Sequence, residues 1–514
     1  MINSIGRDIP DELLKNGLEP YQGAFYRDGY VYRKSAPTVR AAVSPCESKV
    51  VSSLKEAILK CGLKDGMCIS FHHHFRDGDY VLSMVVETIA SLGIKDITVC
   101  ASSLGDAHAS IVKYIEDGTI TGISSSGVRG VIGEAISKGK LKNPAMIRSH
   151  GGRVRAIECG DIHIDVAFIG APTSDCDGNA RGKGGKSDCG VLSYSMVDAR
   201  YADKVVVVTD CLVDFPNLPA SIQGIDVDYV VVVDSVGDPK KIASATLRYT
   251  KDPRELMIAE YAARVMRYTP YFKDDFSFQT GGGGPSLAVT RFLRPYLEEL
   301  NIRMGFAMGG ITRPIVELLE AGLIRTVVDA QDFDLASVKS VNENPRHFEI
   351  STSQYANPLN KGAFVNHLDY VILGALEVDL DFNVNVVTGS DGIIRGAPGG
   401  HVDTSAGSKC SIIVAPLCRS RIPTIRDRVL TVSTPGETVD VVVTEVGVAV
   451  NPRRQDLLNA LRDAPVPLVT IDELRDRAYA LVGTPDEIRF KDRVVALAEY
   501  RDGTIIDVIR QIPM

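Results

Sequence analysis

Short apolar runs alternate with amphipathic, helix-length segments along most of the chain. Apolar residues recur at helical spacing in residues 48–63 and 80–92, whereas the runs at 166–169 and 205–208 are continuously apolar. Continuous runs of this length are typical of parallel strands that are buried on both faces. Their alternation with helices predicts an α/β fold in which open parallel sheets carry helices on both sides.

Two stretches of the sequence return further along the chain at one constant offset. Residues 111–120 (IVKYIEDGTI) return as 315–324 (IVELLEAGLI), and residues 165–171 (DVAFIGA) return as 369–375 (DYVILGA). Two separate matches at the same offset indicate a duplicated fold. We therefore expect two tandem domains of similar architecture, with a site in the cleft between them.

Changes in composition divide the chain further. Residues 1–45 are polar and rich in Tyr and Pro, which predicts an extended arm lying on the domains. Near the C-terminus, Asp502-Gly503 between two apolar runs is a strong hairpin signal, and we expect this terminal segment to pack on the second domain. We also match the late apolar run at 439–444 with the strand at 205–209. The predicted divisions are an N-terminal arm (1–45), a first domain (46–240), a second domain (250–451) and a small C-terminal appendage of helices and a hairpin (452–514).

The composition limits the possible partners. At 514 residues the chain is too long for a single ordinary domain, and its net charge of −8 argues against a general nucleic-acid-binding protein. The ten cysteines show no disulfide or zinc spacing, and no apolar stretch predicts a membrane span or a secretory signal. We expect a cytoplasmic protein with reduced thiols and no membrane partner.

Four consecutive glycines stand between a predicted strand (276–280) and a predicted helix (286–300). Glycine lets the backbone approach a ligand closely, and the helix N-terminus behind the loop favours anions. The loop lacks the lysine of a P-loop and the dinucleotide fingerprint. It predicts either a tight turn or a site for a phosphate, carboxylate or oxyanion, formed by Gly281, Gly282, Gly283 and Gly284.

The equivalent place in the first domain carries three histidines and an arginine after a predicted strand. Open α/β sheets bind ligands at the C-terminal ends of their strands, so these residues are candidates for holding substrate carboxylates. They are His72, His73, His74 and Arg76. Three consecutive residues cannot share one face of a strand, which argues against a metal site. The alternative is a solvated loop.

A second glycine loop, residues 396–403 (GAPGGHVD), lies in the second domain. Gly399 and Gly400 expose backbone N–H groups that suit an oxyanion hole. Arg395 and His401 flank them as candidate substrate-binding residues. At nearly the same place the first domain has a basic loop that suits a phosphate-bearing arm or a polycarboxylate, unless it is disordered. Its charged residues are Arg181, Lys183 and Lys186.

One carboxylate distinguishes the two copies. Glu377 directly follows the apolar run 371–376, and the first copy has Thr173 at that place. A carboxylate that is partly shielded from water at the end of a strand acts as a nucleophile or a general base, or it forms a structural salt bridge.

Four segments of the second domain resemble the acyl-CoA transferases of the acetate and 4-hydroxybutyrate type. They are LEVD (376–379), NVN (383–385), PGGHVD (398–403) and VVVTEVGVA (441–449). The resemblance implies two tandem open α/β domains of CoA-transferase type. It also implies that Glu377 forms an acyl anhydride and then a CoA thioester, while the glycine loop supplies backbone donors.

Over nearly the whole chain the sequence is more similar still to the alpha subunits of citrate lyase. The segments HHHFRDGD (72–79), FQTGGGG (278–284) and EYRDGT (499–504) carry this similarity. It implies exchange of acetate for citrate on the thiol of a small acyl-carrier gamma subunit, which bears a CoA-like prosthetic group. A separate beta subunit then cleaves the citryl thioester. We therefore expect an oligomeric complex and no tightly bound cofactor in this chain.

One departure from the general transferase pattern leaves the mechanism open. Residues 396–399 (GAPG) place two residues where the Gly-x-Gly-Gly loop has one. The resemblance to citrate lyase implies a ternary complex in which the incoming carboxylate attacks the thioester directly, so Glu377 either attacks, orients or deprotonates. Two other functions stay open: a transferase for free CoA and a short or keto acid, and a nucleotide-binding scaffold subunit without chemistry of its own.

Overall fold

Strands and helices alternate along both halves of the chain in the computed structural model, which describes residues 1–26, 35–38, 47–243 and 250–513. The strands are β1 (Val50–Val51), β2 (Cys68–Phe71), β3 (Ile97–Ala101), β4 (Ile120–Ser125), β5 (Ala145–Ile147), β6 (Val166–Ala171), β7 (Thr173–Ser174), β8 (Ala180–Arg181), β9 (Lys204–Thr209), β10 (Tyr229–Val232), β11 (Phe276–Thr280), β12 (Met304–Ile311), β13 (Ile324–Asp332), β14 (His347–Glu349), β15 (Tyr370–Gly374), β16 (Glu377–Asp379), β17 (Val384–Asn385), β18 (Cys410–Val414), β19 (Cys418–Arg419), β20 (Ile422–Pro423), β21 (Ile425–Arg426), β22 (Val441–Thr444), β23 (Gly447–Val450), β24 (Val494–Glu499) and β25 (Ile505–Arg510). The helices are α1 (Leu54–Lys60), α2 (Val81–Ser91), α3 (Val112–Glu116), α4 (Gly130–Ser137), α5 (His150–Cys159), α6 (Ser195–Tyr201), α7 (Pro253–Tyr268), α8 (Gly284–Leu300), α9 (Arg313–Glu320), α10 (Leu335–Glu343), α11 (Thr352–Ala356), α12 (His401–Gly407), α13 (Gln455–Leu461) and α14 (Ile471–Val482).

Two large sheets organise these elements. The first has the strand order β1-β10-β9-β6-β2-β3-β4-β5-β24-β25, and the second has the order β14-β13-β12-β11-β15-β18-β22-β23. Within the described residues their pairings are parallel, apart from the hairpins β22–β23 and β24–β25. Val205 to Val208 in β9 are fully buried, because helices cover both faces of a parallel sheet. The predicted α/β class with two open parallel sheets is confirmed.

The duplication predicted from the sequence is visible in the strand order. The series β9-β6-β2-β3-β4 in the first sheet corresponds to β18-β15-β11-β12-β13 in the second. By this correspondence β22 matches β10, so our match of the 439–444 run with β9 is wrong. The counterpart of β9 is β18, whose short run CSIIV is interrupted by a serine and was not recognised as a strand.

The C-terminal segment contacts both domains. Leu457 in α13 and Leu474 in α14 are buried in cores of the second domain. The hairpin of β24 and β25 instead extends the first sheet, where β24 runs parallel to β5. The prediction that the whole segment packs on the second domain is therefore wrong for the hairpin, because β5 offers an edge whose backbone groups need partners.

The described part of the N-terminal arm lies on this hairpin. Ile9 packs with Leu497 and Ile505, and the Tyr21 N–H donates to the Ile505 carbonyl at 2.9 Å. Residues 27–34 and 39–45 of the predicted arm lie outside the described residues. Among the described helices, none combines the length and the apolar composition that crossing a membrane requires.

Candidate functional site

A cavity of about 310 Å³ lies between the two domains, at the C-terminal ends of their parallel strands. Loops after β2, β3, β4 and β5 form one wall, and the ends of β11, β12, β13 and β15 form the other. Because open α/β sheets bind their ligands at this edge, the cavity is the candidate active site. Three predicted segments meet here, and they are represented by His73 and Arg76, by Gly281 and Gly282, and by Gly399 to His401.

Two arginines, Arg76 and Arg129, and two carboxylates, Asp77 and Asp106, line the cavity. Burial lowers the pKa of Arg76 to about 10, with a further contribution from the nearby positive charge of Arg129. Burial also lowers the pKa of Arg129, although Asp77 and Asp106 counteract it. The Arg76 guanidinium also lies 4.4 Å from the centre of the Phe333 ring, which orients it without neutralising it. Two partly desolvated cations in one cavity favour an anionic ligand.

The three histidines separate, as expected for consecutive residues on an extended segment. His73 faces the cavity. His72 instead places Nε2 2.9 Å from the Asp198 carboxylate, which also binds Arg153 inside the first domain. His74 places Nε2 3.4 Å from the Ser195 hydroxyl. Of the three candidate histidines, His73 is the one that lines the cavity, and the predicted placement of His72 and His74 at the substrate site is wrong.

Several cavity residues were not predicted. Arg129 follows β4 and His150 follows β5, so applying the strand-end rule to every strand would have identified both. Tyr194 contacts His73 and His150, with ring centroids 5.0 Å and 4.8 Å away. Gln331, from the second domain, donates to the His73 carbonyl at 3.1 Å. Tyr194 and Gln331 carry no local sequence signal, since only the folded chain brings them to the cavity.

The 396–400 loop is locked against the first domain. The Gly399 N–H donates to the Ser126 carbonyl at 3.1 Å, and the His150 N–H donates to the Gly399 carbonyl at 2.7 Å. Gly399 has a φ of 51°, a conformation that glycine adopts without strain. A side chain at Gly400 would collide with the Tyr355 hydroxyl, 2.3 Å from a Cβ there. Because the Gly399 amide already donates within the protein, its assignment as an oxyanion donor is not supported, and Gly400 stays the candidate.

His401 also lines the cavity, but its imidazole has protein partners on both nitrogens. Nδ1 lies 2.8 Å from the Thr434 hydroxyl and Nε2 lies 3.0 Å from the Gly374 carbonyl. Burial lowers the pKa of His401 to about 4, so the ring is neutral at neutral pH. In this arrangement His401 fixes the loop, and its ring nitrogens do not reach a substrate.

Glu377 lies outside the cavity, and its predicted position in the cleft is wrong. The side chain is 2% exposed in the small sheet of β16, β17 and β21, where it forms an ion pair with Arg426. Its other carboxylate oxygen accepts hydrogen bonds from Asn385 Nδ2 at 2.8 Å and from the Leu430 N–H at 2.9 Å. The chain bends at Leu376 between β15 and β16, and Glu377 is not among the residues that line the cavity, so its geometry is that of a structural salt bridge.

The remaining predicted cations also lie away from the cavity lining. Arg395 forms an exposed ion pair with Asp391 at 2.5 Å. Lys183 Nζ donates to the Val341 carbonyl at 2.8 Å, which links the two domains, and Lys186 Nζ donates to the Asp234 carbonyl. Arg181 lies half-buried in β8, near enough to Glu349 to lower the pKa of that carboxyl against the effect of burial. None of the four is among the residues that line the cavity, and their binding of a substrate or of a phosphate-bearing arm stays a prediction.

The glycine loop at β11 is where the sequence predicted it. Gly281 and Gly282 line the cavity, Gly283 caps α8 and Gly284 is the first residue of that helix. The N-terminus of a 17-residue helix thus lies directly behind the cavity wall. The positive end of the dipole of this helix adds a favourable electrostatic environment for an anion on the side of the cavity that faces Arg76.

A buried acidic cluster beside the cavity connects the domains. The Val191 N–H donates to Asp332 Oδ2 at 3.1 Å, and the Leu192 N–H donates to Glu349 Oε1 at 2.5 Å. Burial raises the pKa of Asp329 to about 8, and it raises the pKa of Asp332 and Glu349. His347 lies 3.1 Å from Asp329, yet burial lowers its pKa to about 4, so this contact is a neutral hydrogen bond.

We expect this cluster to make the protein less stable as the pH rises toward 8. Because the folded-state pKa of Asp329 exceeds its ordinary value of 3.8, its stabilising contribution is complete below that value and is lost as the pH rises through about 8. Thermal unfolding between pH 5 and pH 9 measures this loss. Asp329→Asn, which cannot ionise, should flatten the decline, and an unchanged slope in that variant would contradict the assignment.

Among the described residues, one group of side chains has metal-ligand spacing: His163, Asp165 and Asp203. They lie at the surface, and His163 is 63% exposed. The group lies outside the residues that line the cavity.

Comparisons with known proteins identify the family of the chain. The family model described as "Citrate lyase, alpha subunit (CitF)" matches residues 47–512. The citrate lyase alpha chain of Klebsiella pneumoniae is 51% identical over 500 residues, covering 97% of each protein. A solved structure of a Streptococcus mutans protein, described as the alpha subunit of citrate lyase in complex with citrate, superimposes with a TM-score of 0.96 at 54% identity and covers 100% of both chains.

More distant structures show the fold alone. The alpha subunit of a malonate decarboxylase from Acinetobacter baumannii has a TM-score of 0.63 at 16% identity, covering 85% of this chain and 87% of that chain. The two tandem domains with open parallel sheets give the chain a fold of CoA-transferase type. Within it, the chain belongs to the citrate lyase alpha-subunit family, an enzymatic transferase component of a citrate lyase complex.

Proposed function

We propose that this chain is the transferase subunit of a citrate lyase and exchanges acetate for citrate on an acyl-carrier thioester. The reaction converts acetyl-carrier and citrate into citryl-carrier and acetate, which is the chemistry of a CoA-transferase. The main support is the pair Arg76 and Arg129 in one cavity opposite the N-terminus of α8. A tricarboxylate needs fixed positive charges to pair with its carboxylates, and the two arginines are candidates for two of these pairs.

The size of the cavity favours this substrate over a nucleotide. A volume of about 310 Å³ is at the low end for small-molecule sites, which suits citrate and the acyl end of a thioester. The rest of a CoA-like arm would then lie outside the cavity. A scaffold subunit that binds a whole nucleotide is less compatible with this volume and with the absence of a dinucleotide fingerprint.

The proposal includes the partners and the carrier. A small gamma subunit with a CoA-like prosthetic group delivers the acetyl thioester, and a beta subunit cleaves the citryl thioester afterwards. No tightly bound cofactor is required in this chain, because the thioester arrives with the carrier. Free acetyl-CoA would act as an analogue of the acetyl-carrier.

Incubation of the chain with acetyl-CoA and citrate tests the proposal. We expect acetate release that depends on citrate, together with a citryl thioester detected by mass spectrometry. Acetoacetate and succinate serve as alternative acceptors, since a transferase for short or keto acids would prefer them. Release of acetate that is indifferent to citrate, or no release even with an added gamma subunit, would contradict the proposal.

A further inference from the structure

His150 lines the cavity, and hydrogen bonds within the described part of the chain do not account for the position of its imidazole. It is the first residue of α5, and its backbone N–H donates a hydrogen bond to the Gly399 carbonyl. Its ring packs edge-on against Tyr194. Nδ1 is buried without a hydrogen-bond partner among the described residues. Nε2 lies on the side of Gly399, 3.4 Å from where a Cβ on that glycine would be.

The other histidines that line the cavity have ring nitrogens with protein partners. The contacts are His73 Nδ1 with the Ser102 hydroxyl (2.6 Å), His108 Nε2 with Asp79 (3.2 Å), His108 Nδ1 with the Gly105 N–H (3.2 Å), and those of His401 already described. These contacts explain why those rings are where they are. No contact of this kind explains the imidazole of His150 within the described part of the chain, although burying it has a cost.

The imidazole of His150 is neutral at neutral pH. Burial lowers the pKa of His150 to about 3, and the positive charges of Arg153 and Arg129 lower it further. A neutral imidazole has one N–H donor and one acceptor nitrogen. Since Nδ1 has no acceptor in reach, the proton is better placed on Nε2, where a substrate oxygen can accept it.

The transfer reaction needs a donor at this place. When a citrate carboxylate oxygen attacks the thioester carbonyl, a C–O bond forms and the carbonyl π pair becomes an oxyanion. The C–S bond then breaks with its pair on sulfur, which gives a mixed anhydride and a thiolate. The thiolate attacks the citryl carbonyl of that anhydride, and acetate leaves with the electron pair of the C–O bond. No proton is gained or lost overall.

Hydrogen-bond donors fixed beside a developing oxyanion accelerate such a reaction, whereas a general base has nothing to remove from an ionised carboxylate. The Gly399 amide donates to Ser126 and does not serve as this donor, whereas the Gly400 amide stays a candidate for a second donor beside a side chain. We infer that His150 is a catalytic residue that donates a hydrogen bond from Nε2 to the oxyanion formed at the thioester carbonyl. The inference rests on the transfer reaction proposed above and names a residue for it.

His150→Phe tests the donor while keeping a ring to pack on Tyr194. We expect kcat to fall by about 10²- to 10³-fold, the usual loss for one oxyanion donor. The KM for citrate should change by less than about threefold, because a transition-state donor contributes little to ground-state binding. His163→Asn, at the surface and 63% exposed, is the matched control and should keep the wild-type kcat.

Chemical rescue of His150→Ala provides a second test if the phenylalanine variant does not fold. At about pH 8.5, well above the unperturbed imidazole pKa of ~6.5, added imidazole should restore part of kcat. Because 1-methylimidazole in its neutral form has no N–H, it should restore none. Equal rescue by both compounds would overturn the inference, as would rescue by neither.

A kcat of His150→Phe within about threefold of wild type, or a loss confined to KM, would also overturn the donor role. A failure of the donor role can be distinguished from a failure of the proposed function by the wild-type chain. If His150 is not the donor but the proposed function is right, the wild-type chain still releases acetate in response to citrate. If the proposed function is wrong, the wild-type chain releases no acetate in response to citrate.

Discussion

Replacing Arg76 with alanine is expected to raise the KM for citrate by about ten- to a hundred-fold, the equivalent of one lost charge-assisted hydrogen bond of ~1.5–3 kcal/mol. The guanidinium lines the cavity beside Arg129, and burial strengthens its interaction with an anion. Acetyl-thioester binding should change little, since an acetyl group brings no free carboxylate. Steady-state kinetics with citrate and acetyl-CoA varied separately measure both effects.

Two further variants make this test specific. Arg76→Lys keeps the charge but loses the planar fork that pairs a carboxylate, so its KM should lie between those of wild type and Arg76→Ala. Arg395→Ala removes an arginine of the exposed pair with Asp391, and its KM for citrate should be unchanged. If Arg395→Ala raised KM as much as Arg76→Ala, or if Arg76→Ala affected citrate and acetyl-thioester equally, the cavity would not be the citrate site.

The fold class was predictable because strands and helices have local patterns of hydrophobic and polar residues in the sequence. The strand at 276–280 was predicted with the bounds that the structure has. The duplication was predictable from two short matches, since tandem copies keep their core residues. The pairing of strands was less predictable than their positions in the sequence. The hairpin of β24 and β25 has a clear local signal, but its sequence does not indicate which sheet edge it joins.

Most of the predicted residues that reach the cavity directly follow a strand, and they are His73, Arg76, Gly281 and Gly282. The loop from Gly399 to His401 also reaches the cavity, and its paired glycines were the signal that identified it. Glu377 also follows a strand directly, yet β15 ends at Gly374 and β16 belongs to a separate small sheet, in which the carboxylate pairs with Arg426. The position of β16 depends on its pairing with β17 and β21, and this pairing exists only in the folded state. Residue spacing alone therefore did not distinguish an active-site carboxylate from a salt bridge.

The position of Glu377 leads to a second prediction of large effect. Its carboxylate is 2% exposed and pairs with Arg426, whose side chain is 13% exposed. Glu377→Ala would leave this largely buried guanidinium without its counterion and would leave the Leu430 N–H without its acceptor. Removing one partner of a buried ion pair typically costs about 3–5 kcal/mol, so we expect a clearly lower Tm.

Glu377→Ala should keep most of its catalytic activity. In the fraction that stays folded at low temperature, we expect kcat for citrate-dependent acetate release within about tenfold of wild type, because a residue that acts as a general base or nucleophile would cost at least ~10²-fold. Glu343→Ala, which breaks an exposed pair with Lys339, is the matched control and should leave both Tm and kcat nearly unchanged. A Glu377→Ala protein with the Tm of wild type and a kcat reduced by more than about a hundredfold would show that this carboxylate takes part in catalysis after a rearrangement that brings it to the cavity.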